Sequence, residues 1–330
     1  MCLVDDEMPL VSELKRIEGG EYWFGSELVI AEGKVAAYKS KDGAMPRKYK
    51  RVDSFYLEPH TVTNTQFDAF VADTEYKTEA EGFGWSFVLE PLASKRTVEE
   101  CDKDMGRVQS AQHWLAVRKA NWKHPQGPHG ADSVKDAGDH PAVQISHRDA
   151  EAYCAWADRR LPTEVEWEFA ARGGYLNVSY PWGDEFSARR LNIWEGSFPK
   201  SVDNPADGYI GTAPAESYSP NTYGLYNMLG NVWEWQRGGT KDKRVLRGGS
   251  FVDSKDGKFN HMVVVSTRQE NTGDSAADNI GFRCAKSDPE VVKRKREEIK
   301  KSGARGKKGK AKRKETRTIK TRGPHDGEDL

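Results

Sequence analysis

Arg160-Leu161-Pro162-Thr163-Glu164-Val165-Glu166-Trp167-Glu168-Phe169-Ala170-Ala171-Arg172-Gly173-Gly174 divides this chain into two unlike halves. Pro162 ends any helix before it, because a proline ring disfavours the helical region for its predecessor. Thr163 with Glu166 three residues on is a capping box, so a new helix starts at once. Gly173-Gly174 supplies the left-handed residues that stop it. Upstream, two more helices are legible. Thr63-Asn64-Thr65-Gln66 is a second capping box, followed by Phe67, Phe70 and Val71 on one face. Ser146-His147-Arg148-Asp149 opens a helix in which Ala150, Tyr153, Cys154 and Ala157 fall at i, i+3, i+4 and i+7. Residues 18–25 and 52–57 read as strands. Downstream of Gly174, helix signals vanish until residue 290 and short strands with Gly, Asn and Asp turns take over. Helices early and irregular strands late predict an α+β domain with little regular structure.

The 330 residues, 36% of them hydrophobic, suffice for one large domain or two small ones. Thirty-one Gly and fifteen Pro point to loops and exclude a helical bundle. No apolar run reaches about 18 residues, so no transmembrane helix is expected. Met1-Cys2-Leu3-Val4-Asp5-Asp6-Glu7 has neither the basic nor the apolar region of a signal peptide. The expectation is a mature or truncated form, or a chain that stays in the cytosol. The balance of 51 basic and 51 acidic side chains hides an asymmetry. Residues 293–322 hold 16 Lys or Arg against three Glu, which leaves an acidic body. This tail buries too little apolar surface to order itself, so disorder is predicted beyond about residue 300. Residues 291–301 read as a charged helical extension.

Cys2, Cys101, Cys154 and Cys284 show no CxxC spacing, which argues against a zinc or thioredoxin-like framework. From the residues alone, Cys154 and Cys284 read as buried free thiols in preference to a disulfide. Cys101 lies between Glu100 and Asp102, whose charges disfavour a thiolate, and reads as a surface cysteine. His124, His129, His140 and His147 have no metal-triad spacing and read as structural or surface groups.

Arg247-Gly248-Gly249-Ser250-Phe251-Val252-Asp253, then Lys258, then Gly281-Phe282-Arg283-Cys284, carry the most specific signal. With 79–87, 120–125, 140–143, 152–174, 180–183, 221–227, 229–235 and 272–276 they form ordered blocks from about residue 14 to 286. Together these blocks resemble the formylglycine-generating enzyme, or sulfatase-modifying factor, family. The resemblance implies one variant C-type-lectin-like domain over 14–288, after a leader at 1–13 and before a basic, disordered tail at 289–330. In the active enzymes of the family, cysteines occupy the places of Asp253 and Lys258. A carboxylate and an ammonium do no thiol redox and hold no Cu(I), since a soft ion needs soft ligands. The segment 249–257 is similar to the paralogues of the family that lack the catalytic pair. A pseudoenzyme without copper is therefore implied. It would bind sulfatase precursors or the active enzyme in the endoplasmic reticulum and modulate formylglycine formation, as a homodimer, a heterodimer or alone. A second family disulfide is lost on both sides, at Ala171 and Val263. Cys154 and Cys284 match the disulfide that the resemblance retains, which requires an oxidising compartment.

Calcium is the cofactor the resemblance implies, at two sites. One maps to the side chains of Asn192 and Asp207 with the carbonyls of Ile193 and Tyr209. The other maps to Asn227 and Glu234 with the carbonyls of Met228, Gly230 and Val232. Irregular backbone offers the oxygens a hard cation takes. The plainer alternatives are turn residues at Asn192 and Asp207 and a salt-bridged surface carboxylate at Glu234. Ser250, Asn279 and Arg283 map to a groove floor for an extended Cys-x-Pro-x-Arg peptide, with a turn hydroxyl as the alternative for Ser250. Asn177-Val178-Ser179 is an N-glycosylation acceptor. Two other functions stay open. One is an enzyme of altered chemistry in which Asp253 or His261 serves Ser250 as general base, which demands hydrogen-bond reach. The other is a lectin-like interaction module whose tail, 307–314, addresses nucleic acid; the absence of interleaved aromatics argues against base stacking. Gly327-Glu328-Asp329-Leu330 departs from a Lys-Asp-Glu-Leu retention signal and reads as a poor one or none.

Overall fold

Capping chemistry sets the helices. The computed structural model describes residues 11–26, 30–31, 34–35, 43, 46–200, 205 and 207–301. Most of the expected leader and of the tail, with its 307–314 and 327–330 stretches, lies outside the described residues. Helix α1 (Asn64–Thr74) starts on Thr63, whose hydroxyl accepts from Gln66 N while the Gln66 side chain accepts from Thr63 N. Helix α2 (Glu79–Phe83) uses a similar box between Thr78 and Glu81. Ser94 caps α3 (Lys95–Lys103) and Asp132 caps α4 (Ser133–Ala137). Helix α5 (His147–Trp156) starts on the Ser146/Asp149 box and α6 (Glu164–Ala171) on Thr163/Glu166. Gly173 and Gly174 then turn with φ of 59° and 87°. Helices α1, α5 and α6 lie where the sequence places them; α2, α3 and α4 carry no apolar stripe long enough to read.

The strands are short. Gly20–Phe24 pairs antiparallel with Lys48–Val52. Lys15–Ile17 pairs antiparallel with Phe55–Leu57, and Ala285–Ser287 completes that sheet. The single strand expected over 52–57 is thus two strands in two sheets. Gly19 packs so tightly on this corner that a Cβ there would lie 2.6 Å from Ser54 N and Val52 O, and Gly19 N donates to the Ser54 hydroxyl at 3.0 Å. Trp85–Leu89 pairs with Ala111–Arg118, which also pairs with Arg107–Val108. In the late half, Arg268–Asn271, Arg244–Arg247, Trp233–Trp235 and Ile280–Gly281 form one sheet in that order, its last pair parallel.

The described residues up to 286 make one compact unit; beyond it, 289–301 are helical, so the charged extension is present and the disorder expected from 289 does not hold over this stretch. Two clusters fill the compact unit. Trp167 and Phe169 of α6 pack with Tyr22, Phe55, Leu225 and Val263–Val265. Ala171 and Val263 both sit in this cluster as apolar core residues. Phe67 and Phe70 of α1 pack with Tyr153 of α5, Trp122 and Phe282 in the second cluster. Within it Cys154 and Cys284 are joined, with Cα atoms 5.6 Å apart. The free-thiol reading is therefore wrong and the pairing implied by resemblance is right. Bridging a separation of 130 residues is worth about 5 kcal/mol in the chain-entropy picture. Cys101 is no surface cysteine either. It is buried, 3.0 Å from Gly106 O and 3.3 Å from Ala116 O, and burial pushes its thiol up and away from reactivity.

Candidate functional site

The strand Arg244–Arg247 ends on two left-handed glycines, Gly248 (φ 97°) and Gly249 (φ 75°). A Cβ at Gly249 would come within 2.8 Å of Val263. Only glycine therefore allows the chain to deliver Ser250 inward. Ser250 N and Oγ both donate to Asp253 Oδ2, at 2.8 and 2.9 Å. Asn279 Nδ2 donates to Ser250 Oγ at 3.0 Å, and His261 N donates to Asp253 Oδ1 at 3.1 Å. All of Ser250, Asp253 and Asn279 are buried, Asp253 at 1% exposure. Burial pushes the Asp253 carboxyl up, opposed by His261 and by the bonds from Ser250.

This geometry satisfies the reach a general base needs, but no face of Ser250 meets solvent. The His261 ring meets the Trp233 ring edge-on at 5.1 Å, and its bond to Asp253 runs through the backbone. Ser250 is a turn hydroxyl, held by the Asp253 carboxylate. Lys258 is exposed. Their loop is pinned by Asn260 Nδ2 on Val252 O (2.6 Å), by Phe259 stacked on Phe198 at 4.9 Å, and by Lys255 over Phe186 at 4.5 Å.

Arg283 does not belong to a groove floor. Its side chain is fully buried, with Nε and Nη2 donating to Glu234 at 2.8 Å each and further bonds to the carbonyls of Pro59 and Tyr226. Trp167 Nε1 donates to the same Glu234 carboxylate at 2.7 Å. Glu234 is accordingly salt-bridged but not at the surface, being 1% exposed. Taking two charges from water is tolerable only with such full pairing.

An open cleft of about 300 Å³, which the sequence reading missed, lies between α2, the strand Trp85–Leu89 and the segment after Asn271. Phe83, Trp85, Phe87, Thr272, Asp274 and Ser275 line it. Phe83 and Asp274 are exposed, and the Trp85 and Phe87 rings meet edge-to-face at 5.0 Å. Ser86 Oγ donates to Ala276 O, and Phe87 bridges to Ala277, two residues before Asn279. The signal was present: both walls, 79–87 and 272–276, are blocks that carry the family resemblance. A second cleft, about 360 Å³, lies at α3. Its Arg96, Arg118 and His129 are each engaged by Glu100 or Asp104.

The first calcium set keeps acceptor capacity at Asp207. Asp207 accepts from Tyr209 N at 3.0 Å and Tyr218 OH at 2.6 Å, which leaves lone pairs on both oxygens. Asn192 donates its amide to Gly211 O at 2.8 Å and accepts Asn231 N on its own carbonyl. A Cβ on Gly230 (φ 72°) would lie 2.2 Å from that carbonyl, so the two sets are in direct backbone contact. In the second set Asn227 fits: its amide donates to the carbonyls of Pro214 and Ala215, and its buried Oδ1 has no hydrogen-bond partner. Met228, Gly230 and Val232 are buried beside it along the chain. The Glu234 carboxylate is engaged by Arg283 on both oxygens and by Trp167 on Oε2, and Oε1 accepts that one bond alone. Among the described residues, no three His, Cys, Asp or Glu side chains converge on a metal position. Asn177 is exposed on the loop after Gly174.

A match to the family described as the sulfatase-modifying factor enzyme 1-like domain spans residues 6–288. The chain is 44% identical over 275 residues to a Bos taurus protein named inactive C-alpha-formylglycine-generating enzyme 2, covering 82% of this chain and 86% of that one. It is 42% identical over 265 residues to the formylglycine-generating enzyme of Mus musculus, covering 74% and 69%. Its fold is similar to that of PvdO from Pseudomonas aeruginosa, with a TM-score of 0.56, 20% identity, and 84% of this chain and 94% of that chain covered.

Proposed function

The chain belongs to the sulfatase-modifying factor family, and from that premise we propose that it is a non-catalytic member that binds sulfatase precursors or the active formylglycine-generating enzyme and modulates formylglycine formation. The observation that carries this is the Asp253 carboxylate, buried and hydrogen-bonded to Ser250 and His261, in a place that by resemblance the active enzymes give to a thiol. The remaining described cysteines are a disulfide, and Cys101 in a separate cluster. A peptide brought to this site meets no cysteine thiol among the described residues.

The cleft beside the site is the place for the peptide. Aromatic faces at Phe83 and Trp85 with the Asp274 carboxylate suit the arginine of an extended Cys-x-Pro-x-Arg segment, by cation–π and ionic contact. The disulfide favours an oxidising compartment, and the exposed Asn177 acceptor agrees with passage through the endoplasmic reticulum. Calcium, when bound, supplies a cross-link among the loops carrying Asn192, Ile193, Asp207, Tyr209 and Asn227. It has no part in any proton or electron transfer here.

Fluorescence polarisation with a labelled Cys-x-Pro-x-Arg peptide, and with the formylglycine-generating enzyme as a second titrant, tests the reading. Saturable binding of one of them, weakened at least several-fold by Asp274→Ala if the peptide is the ligand, is expected. Binding of neither overturns it.

A further inference from the structure

Asp278 is a buried acid that the site does not use. It lies between Ala276, which faces the cleft, and Asn279, which holds Ser250. Its Oδ2 accepts from Leu89 N at 2.9 Å, at the end of the strand that forms the other cleft wall. Its Oδ1 is buried and has no hydrogen-bond partner. Leu89 itself packs with Trp194, Phe251 and Val252, and the Trp194 indole N–H in this apolar cluster is also unpartnered. An ionised carboxylate with one bare oxygen is costly in such surroundings.

We propose that Asp278 is a proton latch for the cleft: neutral, it seals the junction between cleft wall and Ser250 turn, and ionised, it draws water in and loosens the wall. This rests on the proposal that the cleft holds a peptide. The groups facing Asp278 offer no rescue for a negative charge. The wall strand brings the Leu89 N–H, while its Ser86 hydroxyl is spent on Ala276 O; the Leu89 cluster brings apolar side chains and the Trp194 indole; no charged side chain is among the influences on the carboxyl. Burial is the largest influence on the carboxyl and pushes it up to about 7, with only Leu89 N–H and its own N–H opposing. The sign follows. An opened junction lets Asp278 ionise at the ordinary carboxylate value, so opening grows easier as pH rises from there towards 7 and levels off above it.

Amide exchange at Leu89 in the full chain, corrected for intrinsic base catalysis, reads the latch directly. Protection should fall about tenfold from pH 6 to pH 8 in the native chain and stay flat in Asp278→Asn. A flat native profile, or the same fall in both, overturns the latch. Should the variant fail to fold, the carbon-13 titration of the Asp278 carboxyl in the native chain decides, and a midpoint near the ordinary carboxylate value overturns it. Peptide affinity should weaken over the same pH interval in the native chain alone. A peptide that binds at neither pH removes the peptide from the cleft, while the Leu89 exchange still decides the latch.

Discussion

Arg283 and Glu234 are the residues whose roles changed most between sequence and structure. Each has a polar identity that suits a binding site, yet they neutralise one another in the core. Replacing Arg283 by Met strands Glu234 without a cation and should cost about 3–5 kcal/mol. Urea unfolding measures this, and the double change with Glu234→Gln should recover much of it. Recovery of nothing would mean that Arg283 acts through its carbonyl contacts instead. The pairing was illegible because the parallel register of Glu234 with Gly281 brings together Glu234 and Arg283, which are 49 residues apart in sequence. Asp253, by contrast, was legible. Its chemistry excludes thiol redox wherever the fold puts it, and only its burial and its bonds to Ser250 needed the structure.

At the scale of elements, what was legible is what local chemistry dictates. The Thr63, Ser146 and Thr163 boxes each name a helix start, and each helix is there. Thr163→Ala should cost about 1 kcal/mol, read by thermal unfolding, because the α6 amides lose their acceptor. The split of 52–57 and the meeting of the two cleft walls were not legible, since they depend on a distant glycine and on residues 85–89 and 272–277 being brought together by the fold. The Cys154–Cys284 bridge ties α5 to the segment after Gly281. Exchanging both cysteines for Ala should cost about 2–5 kcal/mol. A variant as stable as the parent under reducing and oxidising conditions alike would remove the bridge from the account.

For the whole molecule, composition told of a loop-rich α+β domain, and loops need something to hold them. Where calcium fills that need, adding it at about a hundredfold over its dissociation constant should stabilise the fold by about 2.7 kcal/mol, and chelation should reverse the gain. A melting temperature indifferent to both would leave the loops to their protein contacts alone, among them Asn231 with the Ala213 backbone. The deeper question is whether a domain of this family lacking a thiol at position 253 still handles its peptide without altering it. Mass spectrometry of a Cys-x-Pro-x-Arg peptide incubated with the full chain, copper and oxygen decides that most directly. The account predicts that the cysteine keeps its mass. A peptide converted to the aldehyde at many turnovers per chain would contradict it.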